Sequence, residues 1–265
     1  MRILFLGNNW LGWQVLNWLR SRQEEIVGLV IHPAQRRKYG EEMLTCAGLK
    51  SALIFDGASL EQARTVEAIR ALKPDLGLSV LFGYILKPEF LNLFPLGCIN
   101  LHLAWLPYNR GAYPDVWSIV EGTPAGVTLH YMDGGIDTGD IIARQEVQVE
   151  PVDTGRSLYS KLERTGLGLF RERWPRIRSR QGQRVPQDKT EGTYHAVREV
   201  GKIDEIDLHR SYSAKELIDL MRARTFPPHR GAYFWYQGKR VYVRLELLYE
   251  DQLEAKESNG RIHRD

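Results

Sequence analysis

Cysteine is scarce in this sequence, with only Cys46 and Cys98 among 265 residues. Two isolated cysteines form neither a metal-ligand spacing nor a disulfide framework, which favours a reducing, cytoplasmic location. No segment approaches the ~20 apolar residues that span a bilayer. The first residues carry a short apolar run without a cleavage pattern, so a signal peptide is not expected. These absences argue against a secreted disulfide scaffold and against a membrane protein.

An excess of charge of one sign is also missing, because 36 Lys and Arg face 33 Asp and Glu, for a net charge of +3. This balance suits an anionic small molecule and is too weak to argue for nucleic acid. The length suits one large domain with a smaller one. We expect a main domain over residues 1–185, a small C-terminal subdomain over 186–251 and a flexible tail over 252–265.

Strands and helices alternate through the first half of the sequence. Buried strands are predicted at 2–7, 26–32, 75–82 and 98–103, with helices at 11–22 and 60–74. This order is typical of parallel βαβ units, so the predicted fold class is α/β with a doubly wound, mostly parallel sheet. Ligands of such sheets bind at the carboxyl ends of the strands. The loops after Gly7, Phe82 and His102 should therefore converge on one crevice.

The turn after the first strand, "GNNWLG", has its glycines at Gly7 and Gly12. This spacing matches neither a dinucleotide-binding G-x-G-x-x-G nor a P-loop. Two interpretations stay open. The segment is either a plain strand–helix turn or a ligand-facing loop that bears Asn8, Asn9 and Trp10.

A polar pair marks the end of the fourth predicted strand. Asn100 and His102 stand two residues apart and so point to one side of the strand, while Ile99, Leu101 and Leu103 point to the other. A lone strand histidine is more often structural. An amide and an imidazole side by side at a strand end indicate a site.

A second polar segment follows as "GVTLHYMDGGIDTGD", which reads as a strand that enters a loop. Its glycines allow sharp turns and close approach to a ligand. Any one of Asp133, Asp137 and Asp140 is compatible with a solvated turn, but the three together beside a strand-end histidine favour a functional loop.

The segments "NLHLAWLPYNRG" and "GVTLHYMDGGIDTGD" together resemble the two signatures of the formyltransferases that use N10-formyltetrahydrofolate. That family includes enzymes acting on methionyl-tRNA, on glycinamide ribonucleotide and on nucleotide-linked amino sugars. The resemblance covers roughly residues 1–170 and continues more weakly towards the C-terminus. It implies a Rossmann-like core, N10-formyltetrahydrofolate as co-substrate, no metal, and a catalytic trio of Asn100, His102 and Asp137.

Formyl transfer suits these three residue types. An amine attacks a one-carbon, amide-like carbonyl, and an oxyanion forms. The Asn100 amide can donate to that oxyanion, and His102 can move the proton from the amine. The Asp137 carboxylate can fix the tautomer of the imidazole. No nucleophilic side chain is required, because the amine is the nucleophile.

The resemblance also places the pterin ring of the donor in the loop "LFGYILKP". The implied contacts are Phe82, Gly83, Tyr84, Ile85 and Leu86, completed by Ile136 and Asp140. Backbone groups can read the edge of the ring while apolar side chains cover its faces. Ile85 and Leu86 are equally compatible with ordinary core positions.

The acceptor should face the loop after the catalytic strand, and "LPYNRG" in that loop resembles the amino-sugar branch of the family. Arg110 there pairs either with a phosphate, as guanidinium groups do in two-point contacts, or with a surface carboxylate. Asn9 and Trp10 in the first loop would flank the sugar or its base.

The C-terminal third carries an arginine run over 170–184, an amphipathic helix over 213–224 capped by Ser213, and an aromatic β-hairpin about "QGK". The run is either a solvated helix face or an RNA contact. The hairpin aromatics pack in a homodimer or cover the main domain. The stretch after Thr225 is too short for the β-barrel expected of methionyl-tRNA formyltransferases.

These observations predict formylation of a nucleotide-linked amino-deoxysugar, as in lipopolysaccharide O-antigen synthesis, without nucleic acid or membrane as partner. Methionyl-tRNA formylation and a non-catalytic, folate-binding relative are the alternatives.

Overall fold

The structure, a computed structural model, describes residues 1–188 and 190–261. The strands in these ranges are β1 (Arg2–Gly7), β2 (Glu25–Ile31), β3 (Ile54–Asp56), β4 (Leu76–Val80), β5 (Cys98–His102), β6 (Arg110–Gly111), β7 (Gly126–Tyr131), β8 (Ile141–Glu146), β9 (Tyr194–His195), β10 (Tyr233–Tyr236) and β11 (Lys239–Tyr242). The α-helices are α1 (Asn9–Ser21), α2 (Gly40–Ala47), α3 (Ala63–Ala71), α4 (Pro88–Leu91), α5 (Pro114–Val120), α6 (Gly155–Arg178), α7 (Ala214–Ala223) and α8 (Glu250–Arg261).

A seven-stranded sheet in the order β3-β2-β1-β4-β5-β7-β8 forms the centre of the molecule. Its first five strands are parallel, and β7 runs antiparallel to both β5 and β8. The predicted mostly parallel, doubly wound α/β sheet is confirmed. Strand order reverses between β1 and β4, and the carboxyl ends of strands at such a reversal border the ligand crevice.

Both faces of the sheet are buried, which is why its strands read as continuous apolar runs. Along β1, Ile3 and Phe5 face one hydrophobic cluster, which also contains residues of α1 and α6. Leu4 and Leu6 face the other, beneath α3 and α4. The alternation follows the two-residue period of a strand.

The predicted helix over 60–74 is shorter in the structure, where α3 spans Ala63–Ala71. Residues 57–59 form a separate 3₁₀ turn, in which the Asp56 carboxylate accepts from the amide of Ala58 at 2.8 Å. At the other end, Lys73 has a left-handed φ of +48° just before Pro74. The residue before a proline avoids the helical region, so the helix ends earlier than the pattern indicates.

Part of the arginine run stabilises the fold. It lies on the second half of α6, where Arg178 pairs with the buried Glu24 at 2.8 Å. The same Glu24 carboxylate accepts from the Trp174 indole at 2.9 Å. The run is thus neither a purely solvated face nor free as a whole to contact RNA.

The C-terminal part contains the predicted capped helix and hairpin. Ser213 accepts from the Glu216 amide at 3.1 Å to cap α7, and β10 pairs antiparallel with β11 around the turn at 237–238. Residues 252–261, part of the flexible tail expected over 252–265, lie in helix α8, which begins at Glu250. Its Glu, Gln, Ala and Lys content favours a helix even without an apolar face. Residues 262–265 of that tail lie outside the described residues.

None of the helices in the described ranges combines the length and the apolar character needed to cross a membrane.

Candidate active site

Asn100, His102 and Asp137 come together at the carboxyl end of β5. Strand β5 supplies the first two, and the loop between β7 and β8 brings Asp137 back over them. The antiparallel register sets His130 of β7 directly opposite Asn100. The same register pairs Tyr131 at the end of β7 with Ile99 near the start of β5, so the loop after β7 runs back along β5 before Asp137 reaches His102.

The carboxylate of Asp137 contacts both Asn100 and His102. Asp137 Oδ1 accepts from Asn100 Nδ2 at 3.3 Å, and Oδ2 accepts from the backbone N–H of Gly111 at 2.9 Å. His102 Nε2 lies 3.6 Å from Oδ2, a charge contact rather than a short hydrogen bond. The Asp137 carboxylate therefore links the end of β5, through Asn100 and His102, to β6, through Gly111.

A hydrogen bond from the neighbouring strand β4 sets the orientation of the Asn100 side chain. Ser79 Oγ in β4 donates to Asn100 Oδ1 at 2.9 Å. This assigns the amide oxygen to the strand side and turns Nδ2 towards the site. The side chain is thus arranged to donate hydrogen bonds at this end of the strand.

The two acceptors near His102 Nε2 determine the tautomer of that ring. The carbonyl oxygen of Asn109 lies at 3.3 Å and the Asp137 carboxylate at 3.6 Å. Both favour a proton on Nε2 in the neutral ring, which leaves Nδ1 as the basic nitrogen.

His130 is a site residue that sequence reasoning missed. Its ring is buried, and Nδ1 donates to the backbone carbonyl of Tyr131 at 2.8 Å. In the neutral ring Nε2 then accepts from Asn100 Nδ2 at 3.2 Å, and when protonated it faces Asp137 Oδ1 at 3.4 Å. Only the cross-strand register identifies this residue, and the register depends on pairing between distant segments.

Asp137 is held as an anion. Burial alone would raise its pKa, but the positive charge of His102, the hydrogen bond and charge of His130, and the Gly111 amide outweigh burial. Together they keep the pKa of Asp137 well below the ordinary value of a carboxyl group. The residue also adopts a left-handed backbone with φ of +53°, where side chains other than glycine are uncommon.

The loop after β4, predicted to hold the pterin, divides its side chains between core and solvent. Phe82 and Leu86 are buried in the hydrophobic cluster under α3 and α4, whereas Ile85 is 77% exposed. Among the described residues, the backbone groups of Phe82, Tyr84, Ile85 and Leu86 have no hydrogen-bond partner. The loop thus offers free donors and acceptors from its backbone more than from its side chains.

His32 supports this loop from the end of β2. Its Nε2 accepts from the Gly83 amide at 3.3 Å, and its ring contacts Phe82 and Tyr84 edge-on. Burial, followed by the nearby charge of Arg36, lowers the pKa of His32 below its ordinary value. The ring is therefore kept in the neutral form that can accept this hydrogen bond.

The two remaining donor-site predictions lie on either side of Asp137. Ile136 is half-buried. The Asp140 carboxylate lies 3.9 Å from the guanidinium of Arg184, which also stacks over the ring of Tyr131 at 3.5 Å. Among the described residues, neither side chain is hydrogen-bonded to Asn100 or His102.

The predicted acceptor residues do not lie in loops, because Asn9 and Trp10 form the first turn of α1 and Arg110 begins β6. Asn9, with φ of +62°, donates from Nδ2 to the hydroxyl of Tyr159 at 3.2 Å. Trp10 is half-buried against the core, as the plain-turn interpretation expects. Arg110 lies next to Gly111, and among the described residues no carboxylate lies within ion-pair distance of its guanidinium. Its Nε donates to the backbone carbonyl of Thr193 at 3.5 Å, so the guanidinium has a carbonyl partner and no carboxylate partner among the described residues.

Across the described ranges, no cluster of three or more His, Cys, Asp or Glu side chains is arranged to hold a metal ion.

Two family models match the chain. The model described as "Formyl transferase" covers residues 1–172, and the model described as "N-formyltransferase dimerization C-terminal domain" covers residues 199–249.

Individual proteins agree with these models. A methionyl-tRNA formyltransferase of Alkaliphilus oremlandii is 31% identical over 99% of this chain and 84% of its own length. The crystal structure of a 4-N formyltransferase from Francisella tularensis superposes with a TM-score of 0.80 and 27% identity, over 94% of this chain and 98% of that one. A formyltransferase of Anoxybacillus kamchatkensis, solved with UDP-4,6-dideoxy-4-formamido-L-AltNAc and tetrahydrofolate, is 31% identical over 76% of this chain and 89% of its own, with a TM-score of 0.56.

Proposed function

Because this chain belongs to the formyl transferase family, whose members are enzymes that use N10-formyltetrahydrofolate, we propose that it formylates the amine of a nucleotide-linked amino-deoxysugar. The likeness to the Francisella 4-N formyltransferase carries the choice of acceptor, because over the same 94% of this chain its fold superposes with a TM-score of 0.80, against 0.63 for a methionyl-tRNA formyltransferase of Clostridium thermocellum. The Anoxybacillus relative adds a precedent for a UDP-linked 4-formamido sugar.

The charge next to the site supports an anionic acceptor. Arg110 immediately precedes Gly111, whose amide binds Asp137, so its guanidinium belongs to the same loop as the reacting centre. A guanidinium without a carboxylate partner is suited to the two-point recognition of a phosphate group. A nucleoside diphosphate supplies such a group close to the sugar.

The donor fits the loop after β4. The unpartnered backbone groups of residues 82 and 84–86 match the edge of a flat heterocycle rich in donors and acceptors. The side chains of Phe82 and Leu86 then support this loop from the core, and Ile85 is the exposed apolar contact.

The donor supplies a formyl carbon that the acceptor amine attacks, so that a new C–N bond forms as the bond to N10 breaks. Asn100 Nδ2 has two N–H groups. His130 Nε2 and Asp137 Oδ1 lie 3.4 Å apart, close enough to share one of them, and in this mechanism the second N–H donates to the developing oxyanion. His102 takes the amine proton at Nδ1 and returns it to the leaving nitrogen. Asp137 stabilises the imidazolium that exists between these two steps.

Formylation of methionyl-tRNA is the second candidate, and a specific observation favours it. Curated methionyl-tRNA formyltransferases reach 31% and 32% identity over 99% and 92% of this chain. A tRNA acceptor requires several phosphate contacts, and its binding would weaken steeply with salt.

A homodimer is the proposed assembly. The dimerization-domain model covers the hairpin of β10 and β11. Trp235 and Tyr236 on this hairpin are 46% and 60% exposed in the single chain.

The deciding experiment offers the enzyme N10-formyltetrahydrofolate with either UDP- or dTDP-linked 4-amino- and 3-amino-deoxysugars or methionyl-tRNA. We expect formylation of an amino-sugar nucleotide. Arg110→Ala should raise the KM of that nucleotide by about tenfold, as loss of one charge-assisted contact does, and leave the KM of the donor unchanged.

Arg64→Ala is the matched control, because Arg64 is exposed on helix α3 and its guanidinium donates to the Gln62 side chain at 3.0 Å. Formylation of methionyl-tRNA with none of the sugar nucleotides would replace the proposed acceptor. Binding of 5-formyltetrahydrofolate without turnover of any amine would indicate a non-catalytic relative.

A further inference from the structure

Gln187 reaches the Asp137 loop from a distant part of the chain. Its Nε2 donates to the backbone carbonyl of Asp137 at 2.9 Å and to that of Gly139 at 2.7 Å. Both N–H groups of the amide are thus used on the two sides of Thr138.

The segment that carries Gln187 is itself fixed. Ile141 and Val185 exchange two backbone hydrogen bonds, of 2.8 and 3.0 Å, which add a short antiparallel bridge to the edge strand β8. Pro186 follows with its restricted backbone. Gln187 therefore approaches the loop from an anchored backbone rather than from a free surface.

The orientation of the Gln187 amide follows from its surroundings. Oε1 is buried and has no hydrogen-bond partner among the described residues, whereas Nε2 has two. Reversing the amide would set oxygen against two carbonyl oxygens. A buried acceptor without a partner costs free energy, so its retention indicates that the two donated bonds matter.

The loop cannot easily keep its shape unaided. Asp137 has a left-handed φ of +53°, and a Cβ atom on Gly139 would lie 2.0 Å from the carbonyl oxygen of Tyr131. The two carbonyls that Gln187 holds belong to these two residues. Strained backbone of this kind persists where its surroundings determine it.

We propose that Gln187 is a positioning residue, which holds the backbone of Asp137 so that one carboxylate reaches His102, Asn100 and the Gly111 amide together. The inference rests on the proposed role of Asp137 in formyl transfer. The Gln187 amide contacts the backbone of the Asp137 loop and acts only through Asp137.

Gln187→Met tests the proposal, because it keeps the length of the side chain and removes both donors. We expect kcat to fall by up to roughly a hundredfold, as misplacement of a reacting group by ~1 Å does, with the KM of the donor within twofold of the native value. Gln183→Met is the matched control, since Gln183 is exposed in the same segment. Equal loss in both variants, or a native kcat in Gln187→Met, would overturn the proposal.

Gln187→Glu provides a pH signature that general damage to the fold would not reproduce. A carboxylate cannot donate, whereas the neutral acid donates one hydrogen bond, and two facing carbonyl oxygens favour the neutral acid. The ratio of variant to native kcat should therefore rise as pH is lowered from 8.5 to 6, while the ratio for Gln187→Met stays flat. A flat ratio for both variants would contradict the proposal.

Hydrogen exchange at the Gly111 amide separates this inference from the proposed function. That N–H is bonded to Asp137, so its exchange should accelerate in Gln187→Met and stay native in Gln183→Met, whether or not any acceptor is formylated. A native protein that formylates neither acceptor would disprove the proposed function alone. Unchanged exchange at Gly111 would disprove the positioning role alone.

Discussion

The site at the end of β5 and the hairpin of β10 and β11 treat their polar and aromatic groups in opposite ways. At the site, Asn100, His130 and Asp137 are bonded to one another inside the chain. On the hairpin, Arg240 lies over the rings of Tyr233 and Trp235 at 4.7 and 5.0 Å, and Trp235 is 46% exposed.

This difference suits the site at the end of β5 to catalysis and the hairpin to association between chains. Buried polar groups must find partners within the fold, and the contacts among Asn100, His130 and Asp137 are all made within one chain. Aromatic and arginine side chains are enriched at the cores of protein interfaces, and an exposed face made of them is typical of a surface that another copy covers. Substitutions at the site should therefore affect catalysis alone, and substitutions on the hairpin should affect association alone.

The largest effect is expected from His102→Asn, which removes the proton carrier. Transfer should fall by up to about 10⁴-fold, the upper range for general acid–base catalysis, while gel filtration shows the native oligomer. Single-turnover transfer at saturating donor measures this. The exposed His209→Asn is the control, and substantial transfer by His102→Asn would place the base elsewhere.

Asn100→Ala should cause the next largest loss of activity. Loss of one oxyanion donor typically lowers kcat by about 10²- to 10³-fold, and the affinity for 5-formyltetrahydrofolate should hardly change. Calorimetric titration with that unreactive isomer, alongside steady-state kcat, checks both halves. Weakened folate binding with native kcat would assign Asn100 to the donor pocket instead.

Trp235→Ala sharpens the comparison from the other side. Its loss should weaken the dimer by about 30-fold, as truncation of an interface hot spot of ~2 kcal/mol does, and leave kcat unchanged once the dimer is restored by concentration. Sedimentation velocity across protein concentrations measures the dissociation constant. Tyr39→Ala is the control, because Tyr39 is a similarly exposed aromatic residue outside the range of the dimerization-domain model.

The smallest effect concerns pH at the donor loop. Folding lowers the pKa of His32 below its ordinary value of 6.5. The neutral ring that accepts from the Gly83 amide therefore persists as pH falls to 6.5 and is lost only at lower pH. The KM of the donor should then rise by about two- to tenfold, the worth of one hydrogen bond. His32→Gln, which keeps an acceptor that does not titrate, should show a flat profile.

Much of the fold could be predicted because local signals are strong where strands are buried on both faces. Strand β1 spans the predicted residues 2–7, and β2, β4 and β5 lie within two residues of their predicted bounds. Period-two alternation also placed Asn100 and His102 on one side of β5. Short elements such as β3 and α2 escaped, because they carry too few residues for a period to appear.

The shared contacts of the site could not be predicted in the same way. His130 and Ser79 contact Asn100 across 30 and 21 residues of sequence. Gln187 contacts the carbonyl of Asp137 across 50 residues. Such pairings depend on strand register and on where a connecting segment returns, and neither leaves a local pattern. The roles assigned to the donor and acceptor residues stay predictions for the assays above.

The two-residue pairing of β6 with β9 bears on how this protein can be divided. Arg110 and Gly111 pair with Tyr194 and His195, and the Ala112 amide bonds to the carbonyl of His195 at 2.9 Å. A chain cut after residue 185, where the sequence suggests a boundary, would lose this partner strand. The catalytic half is thus not a portable module, and a chimera that exchanges C-terminal units should join them beyond residue 195.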